Sequence, residues 1–103
     1  MCAATNCLCK GCDESSVNGI AHNGYICNKN HRGYAMALDN GKFGGVLTAT
    51  HELAHLIGGV RHDGNQNDSF AKHCQAGHGF IMTDIMYEPR MHQRNSFKWS
   101  TCS

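Results

Sequence analysis

The chain has 103 residues, room for one small domain. Charged residues make up 17%, below the usual quarter, and the net charge is +1 with neutral histidines. That balance argues against nucleic acid or an anionic membrane as the main partner. Apolar runs extend over a few residues only, so none is long enough to cross a bilayer. The opening Met1-Cys-Ala-Ala-Thr-Asn-Cys7 has neither the basic nor the apolar part of a secretory leader.

In chain order, residues 1–18 are polar, Cys-rich and without periodicity, and read as a loop segment distinct from 19–103. Residues 19–26 and 33–38 read as short strands, and Asp39-Asn40-Gly41 as a turn. Val46 to Ile57 reads as a helix, with Gly44-Gly45 before it and Gly58-Gly59 as its stop. Residues 63–69 are a loop. A calcium-loop reading fails there, because the twelfth position from Asp63 is Cys74 rather than Glu. Pro89 breaks any helix in 79–90, and the tail from Ser96 ends beside Cys102.

Seven cysteines in 103 residues are dense for a cytosolic domain and ordinary for a secreted one, so a disulfide framework and an oxidising compartment are expected. The odd count leaves one thiol over and, with no leader, points to an incomplete chain. Cys2, Cys7, Cys9 and Cys12 offer an alternative zinc site. They are crowded rather than split into two knuckles, which disfavours that use.

The chemistry concentrates in His51-Glu-Leu-Ala-His55-Leu-Ile-Gly58-Gly-Val-Arg-His62-Asp63. On a helix, positions i and i+4 share a face, so His51 and His55 can aim at one ion. Glu52 sits about 100° round the helix, out of reach of the ion but able to reach a water beside it. Val46, Ala49, Leu53, Leu56 and Ile57 fall on roughly the opposite arc and are expected to bury in a core. The glycine pair lets the chain turn and return His62 as a third ligand. Three histidines with an open fourth position are the layout of a catalytic zinc site. Chance alone would put an H-E-x-x-H somewhere in a shuffled chain of this composition only roughly 2% of the time, so the motif carries weight. His22, His31, His73, His78 and His92 have no ligand spacing and read as surface residues.

The stretch resembles the metzincin zinc endopeptidase signature H-E-x-x-H-x-x-G-x-x-H-D, and its trailing Asp63 is similar to the adamalysin (reprolysin) branch. The pattern would put the third His at Arg61; His62 comes one residue late, which implies one added residue at Gly58-Gly59. Gly19-Ile-Ala-His-Asn-Gly-Tyr-Ile-Cys27 resembles the family's edge strand, which pairs with substrate backbone. Gly79-Phe-Ile-Met82-Thr resembles the Met-turn under the zinc histidines, with Met86 as the runner-up. Phe97-Lys-Trp-Ser-Thr-Cys102-Ser resembles the closing segment, which implies a Cys27–Cys102 disulfide. The short loop after His-Asp-Gly and the closing Cys-Ser most resemble salivary reprolysins of ticks.

The resemblance spans about 19–103 and implies an α+β fold of metzincin type. The chain would be the C-terminal portion of a zincin catalytic domain: edge strand, active-site helix, Met-turn and irregular Cys-rich tail. It further implies a secreted zinc metalloendopeptidase acting on protein or peptide substrates, extracellular host proteins among them. One zinc is held by His51, His55 and His62, and Glu52 is the general base. Asp63 is structural, Asp84 has no role, and residues 83–88 wall the pocket for the side chain after the cut. Two other outcomes remain open: a truncated, inactive protein-binding fragment, and a Cys-rich zinc module built on the N-terminal thiols.

Overall fold

A computed structural model describes residues 18–24, 26–30, 33–39, 41, 44–84 and 94–103. Strand β1 (Gly19–Ala21) and strand β2 (Ala35–Ala37) form a two-stranded antiparallel sheet. Gly19 lies opposite Ala37, Ile20 opposite Met36 and Ala21 opposite Ala35. Helix α1 (Gly44–Gly58) packs against both strands. Two short 3-10 turns follow, Ala71–His73 and Ala76–His78, before the C-terminal segment. The architecture is thus small and mixed α and β, as expected. No helix among the described residues is long and apolar enough to cross a membrane.

Both strands are shorter than the sequence pattern implies, for a local reason. Gly24 takes a left-handed φ of 67° and turns the chain away from the ladder. The N–H of Gly24 then donates to the His55 carbonyl at 2.7 Å, and that of Ile26 to the Leu56 carbonyl at 3.4 Å. These bonds tie the β1 turn to the carbonyls at the end of α1. At the expected turn after β2, Gly41 has φ 71° and donates its N–H to Asp39 Oδ1 at 3.0 Å. The helix takes in the flanking glycines Gly44, Gly45 and Gly58. It ends at Gly59, which has φ 64° and an N–H bonded to the His55 carbonyl at 3.0 Å.

The helix buries the face opposite to the expected one. Leu47, Thr48, His51, Glu52, His55 and Leu56 are buried, whereas Val46, Leu53 and Ile57 are exposed and Ala49 is half-buried. Of the five apolar residues expected to pack, only Leu56 does. The buried arc faces β1, the 79–83 turn and the loop carrying His62, and the described core is correspondingly small: Leu47, Leu56, Ala71, Ile81 and Met82. Between β2 and the exposed arc lies a groove of about 380 Å³, lined by Leu38, Asp39, Val46 and Ala49 among others.

The expected Cys27–Cys102 disulfide is corrected. Cys102 is bonded to Cys74, with the two Cα atoms 6.1 Å apart. Cys27 is an exposed thiol in no disulfide among the described residues. The first 3-10 turn delivers Cys74 to the C-terminal segment, and the Ile81 N–H bond to the Lys98 carbonyl (2.9 Å) holds that segment alongside. Cys27 instead follows the Gly24 turn, whose N–H groups bond to the end of α1. Non-reducing peptide mapping should therefore join the Cys74 and Cys102 peptides. The bridge closes a 28-residue separation, so Cys102→Ser should cost about 3–4 kcal/mol in denaturant unfolding. The N-terminal cysteines, Met86, His31, His92 and residues 85–88 lie outside the described residues.

Candidate metal centre

Each of the three sequence-marked imidazoles is placed by a different constraint, and their Nε2 atoms meet. His51 Nε2 is 3.0 Å from His62 Nε2 and 3.1 Å from His55 Nε2, and His55 and His62 are 3.1 Å apart at the same atoms. His51 and His55 arrive together because they lie one turn apart on α1. His62 returns because Gly59 takes a left-handed φ of 64° and reverses the chain. Among the described residues, these three form the one group of side chains able to hold a metal ion together.

The outer ring nitrogens settle the tautomers of two of them. His51 Nδ1 is 2.8 Å from the Ile81 carbonyl, and His55 Nδ1 is bonded to the Val60 carbonyl. A carbonyl can only accept, so both Nδ1 atoms carry the proton and both Nε2 atoms present lone pairs to the centre. Backbone acceptors of this kind fix ring orientation and raise ligand basicity at metal sites. Burial also lowers the pKa of His55 and of His62, favouring the neutral form a metal needs. For His55, the Val60 bond opposes burial and the His62 and Arg61 charges add to it. For His62, the Asp84 and Asp63 carboxylates oppose burial and Arg61 adds to it.

A divalent cation fits this donor set. Lone pairs crowded at 3.0–3.1 Å repel unless a positive charge lies between them, and one shared proton can serve only one pair. Tetrahedral ligation at the usual Zn–N length spaces the nitrogens by roughly 3.3 Å, so a small adjustment accepts the ion.

Glu52 is buried at 5% exposure, one residue along α1 from His51. Its carboxyl lies against the start of β1, and burial pushes its pKa up to about 7. Asp63, next to His62, is buried and accepts a 2.7 Å hydrogen bond from Ser100 Oγ. It therefore ties the His62 loop to the C-terminal segment, as a structural residue does. Met82 is fully buried; its carbonyl accepts the Asp63 N–H at 2.9 Å, and the neighbouring Ile81 carbonyl holds His51. Thr83 is buried and bonds to the Ala76 carbonyl, whereas Asp84 is exposed. His73 and His78 are exposed, and His22 packs edge-on against Tyr34, so none of these joins the centre. Sequence reading missed Ile81, Val60 and Ser100. The first two act through backbone carbonyls, which no side-chain pattern encodes, and Ser100 carries no spacing signal relative to Asp63.

Three converging imidazoles, two of them held by backbone carbonyls, beside a buried carboxylate define a candidate mononuclear metal centre, and the chain's similarities point the same way: it is related to metalloproteinases. It is 37% identical over 95 residues to "A disintegrin and metalloproteinase with thrombospondin motifs like" from Bombyx mori, with 82% of this chain and 13% of the relative covered. It is 47% identical over 45 residues to "Venom metalloproteinase 2" from Eulophus pennicornis, with 44% of this chain and 11% of the relative covered. The chain thus spans about an eighth or less of the length of these curated relatives. No protein-family model matches the chain. No solved structure matches it at a significant level.

Proposed function

We propose that this chain carries the zinc centre of a secreted metalloendopeptidase of the adamalysin (reprolysin) type, with His51, His55 and His62 as ligands and Glu52 as the general base. Residues 19–103 would then be the C-terminal portion of the catalytic domain, with 1–18 a separate Cys-rich segment. The carrying observation is the convergence of three Nε2 atoms, two of them stripped of their proton by backbone acceptors. Secretion is supported by the venom origin named for one relative and by the disulfide. The closing Cys102-Ser103 and the short loop after Gly64 support the salivary branch. Met82 has the burial a Met-turn residue needs under the histidines. Protein substrates follow from the protease relatives.

Zinc bound there would supply Lewis acidity for a peptide carbonyl and make a water acidic enough to react near neutral pH. The chain's own residues do the rest. His51 and His55 keep their Nδ1 protons on Ile81 and Val60, so their rings do not rotate as charge develops. Glu52 accepts the water proton on its carboxylate and returns it to the leaving amine as the peptide bond breaks. Burial excludes competing water from Glu52, and a nearby positive charge shifts it toward the carboxylate that the first step requires.

Casein digestion by the zinc-loaded chain, repeated with a chelator and again with zinc restored, tests this reading. Cleavage that stops and returns, with one zinc per chain, is expected. One bound zinc without cleavage would instead favour the protein-binding fragment. Failure to bind zinc through the histidines would overturn the assignment.

A further inference from the structure

We propose that Gly19 is the positioning residue for the Glu52 carboxylate: the side chain it lacks is the space that Glu52 and Thr48 occupy. The inference rests on the reading of Glu52 as the proton acceptor. A Cβ built on Gly19 would stand 2.6 Å from Glu52 Oε1, 2.8 Å from Glu52 Cγ and 2.7 Å from Thr48 Cγ2. Favourable carbon contacts fall near 3.5–4.0 Å, so all three are closer than any side chain tolerates. Glycine within a strand often marks such a close approach.

The backbone does not itself call for glycine here. Gly19 is not among the residues with left-handed φ, so alanine can adopt its conformation. A methyl group at Gly19 would therefore act through contact alone. The groups around it differ in how readily they yield. The strand is held in register with β2 by the Gly19–Ala37, Ile20–Met36 and Ala21–Ala35 pairs. Thr48 is buried and β-branched, hence stiff at χ1. Glu52 has the freest side chain of the three, so its carboxylate is what moves. His51, His55 and His62 are held by their own bonds and by Gly59, away from this contact, so the metal centre should survive the change. Gly19 thereby fixes where the base stands without touching the ligands.

The test uses the full 103-residue chain and two variants, Gly19→Ala and Gly19→Ala/Thr48→Ser. Thr48→Ser removes the contact with Cγ2 and leaves the two contacts with Glu52 in place. Cobalt(II), loaded in place of zinc, reports the ligand set through its visible spectrum. Gly19→Ala is expected to keep that spectrum and its metal affinity and to hold KM within about twofold, while losing about 100-fold in kcat. The double variant should keep most of the loss, because both contacts with Glu52 remain. In the metal-free chain, the NMR shifts of the Glu52 side chain should move in both variants. Unchanged kcat overturns the proposal. So does a cobalt spectrum that changes with kcat, since the whole helix would then have shifted, or a loss that Thr48→Ser relieves, since the new methyl would then act through Thr48. If the parent chain cleaves nothing, the reading of Glu52 as a base fails; the metal-free shifts still decide whether Gly19 sets its place.

Discussion

His51→Ala is expected to abolish stoichiometric zinc binding, with an affinity loss of at least about 100-fold. Removing only a hydrogen-bonding partner of a ligand typically costs 10- to 100-fold, and this change removes a proposed ligand itself. It also removes the Nδ1 donor that stands 2.8 Å from the Ile81 carbonyl. Calorimetric titration of zinc into the parent chain and the variant measures the effect directly. Thermal unfolding gives a second measure, because an ion that binds only the folded state stabilises it by about 4 kcal/mol at a thousandfold excess over Kd. The parent's Tm should therefore rise with zinc, and that of His51→Ala should not. His73→Ala is the control: this exposed residue stands apart from the centre and should leave zinc binding unchanged. Zinc retained at full affinity by His51→Ala would show that the three imidazoles are not the ligand set.

The parts of this centre that sequence reading reached are those whose chemistry lies in side chains at helical spacing. His51 and His55 follow from the i, i+4 rule, and the glycine pair foretells the return of His62. What the spacing left open was whether one added residue would carry His62 past the centre. The left-handed φ of 64° at Gly59 decides it, because the chain reverses there before Val60. Periodicity points to the wrong face of α1 for a physical reason. Hydrophobic periodicity assigns the apolar arc to the interior, yet here the polar arc is enclosed, because His51 and His55 find the Ile81 and Val60 carbonyls inside. Hydrogen bonding makes such burial tolerable, and hydropathy carries no record of it. Val46, Leu53 and Ile57 are left facing outward.

The disulfide was misassigned for a different reason. Pairing depends on which cysteines the fold brings together, and chain order does not say. The 63–84 segment doubles back through the Gly64–Ala71 and Asp63–Met82 backbone bonds, and this carries Cys74, not Cys27, to the C-terminal segment. The same segment reaches Asp63 through Ser100. The bridge and the Ser100–Asp63 bond thus brace the loop that presents His62.

Glu52→Gln should lower kcat by about 10²- to 10⁴-fold, the span that a positioned proton acceptor contributes, while zinc stays bound. Glutamine keeps the length and shape of the side chain, so the contact with β1 persists. The amide cannot accept the water proton and return it to the amine. Steady-state hydrolysis of a peptide, with zinc stoichiometry measured on the same samples, checks both halves; full turnover by Glu52→Gln would remove the general base from the mechanism. A second readout needs no activity. In the metal-free chain, burial holds the Glu52 carboxyl at about 7 against an ordinary 4.5. At this group the folded state then binds more protons than the unfolded one, so its contribution to stability declines as pH rises from 4.5 through about 7, opposite in sign to that of His55 and His62, whose pKa values are lowered. Glu52→Gln removes that titration. In denaturant unfolding of the chelated proteins, the variant should therefore gain stability relative to the parent as pH rises across this window, and the two should draw closest at the acid end.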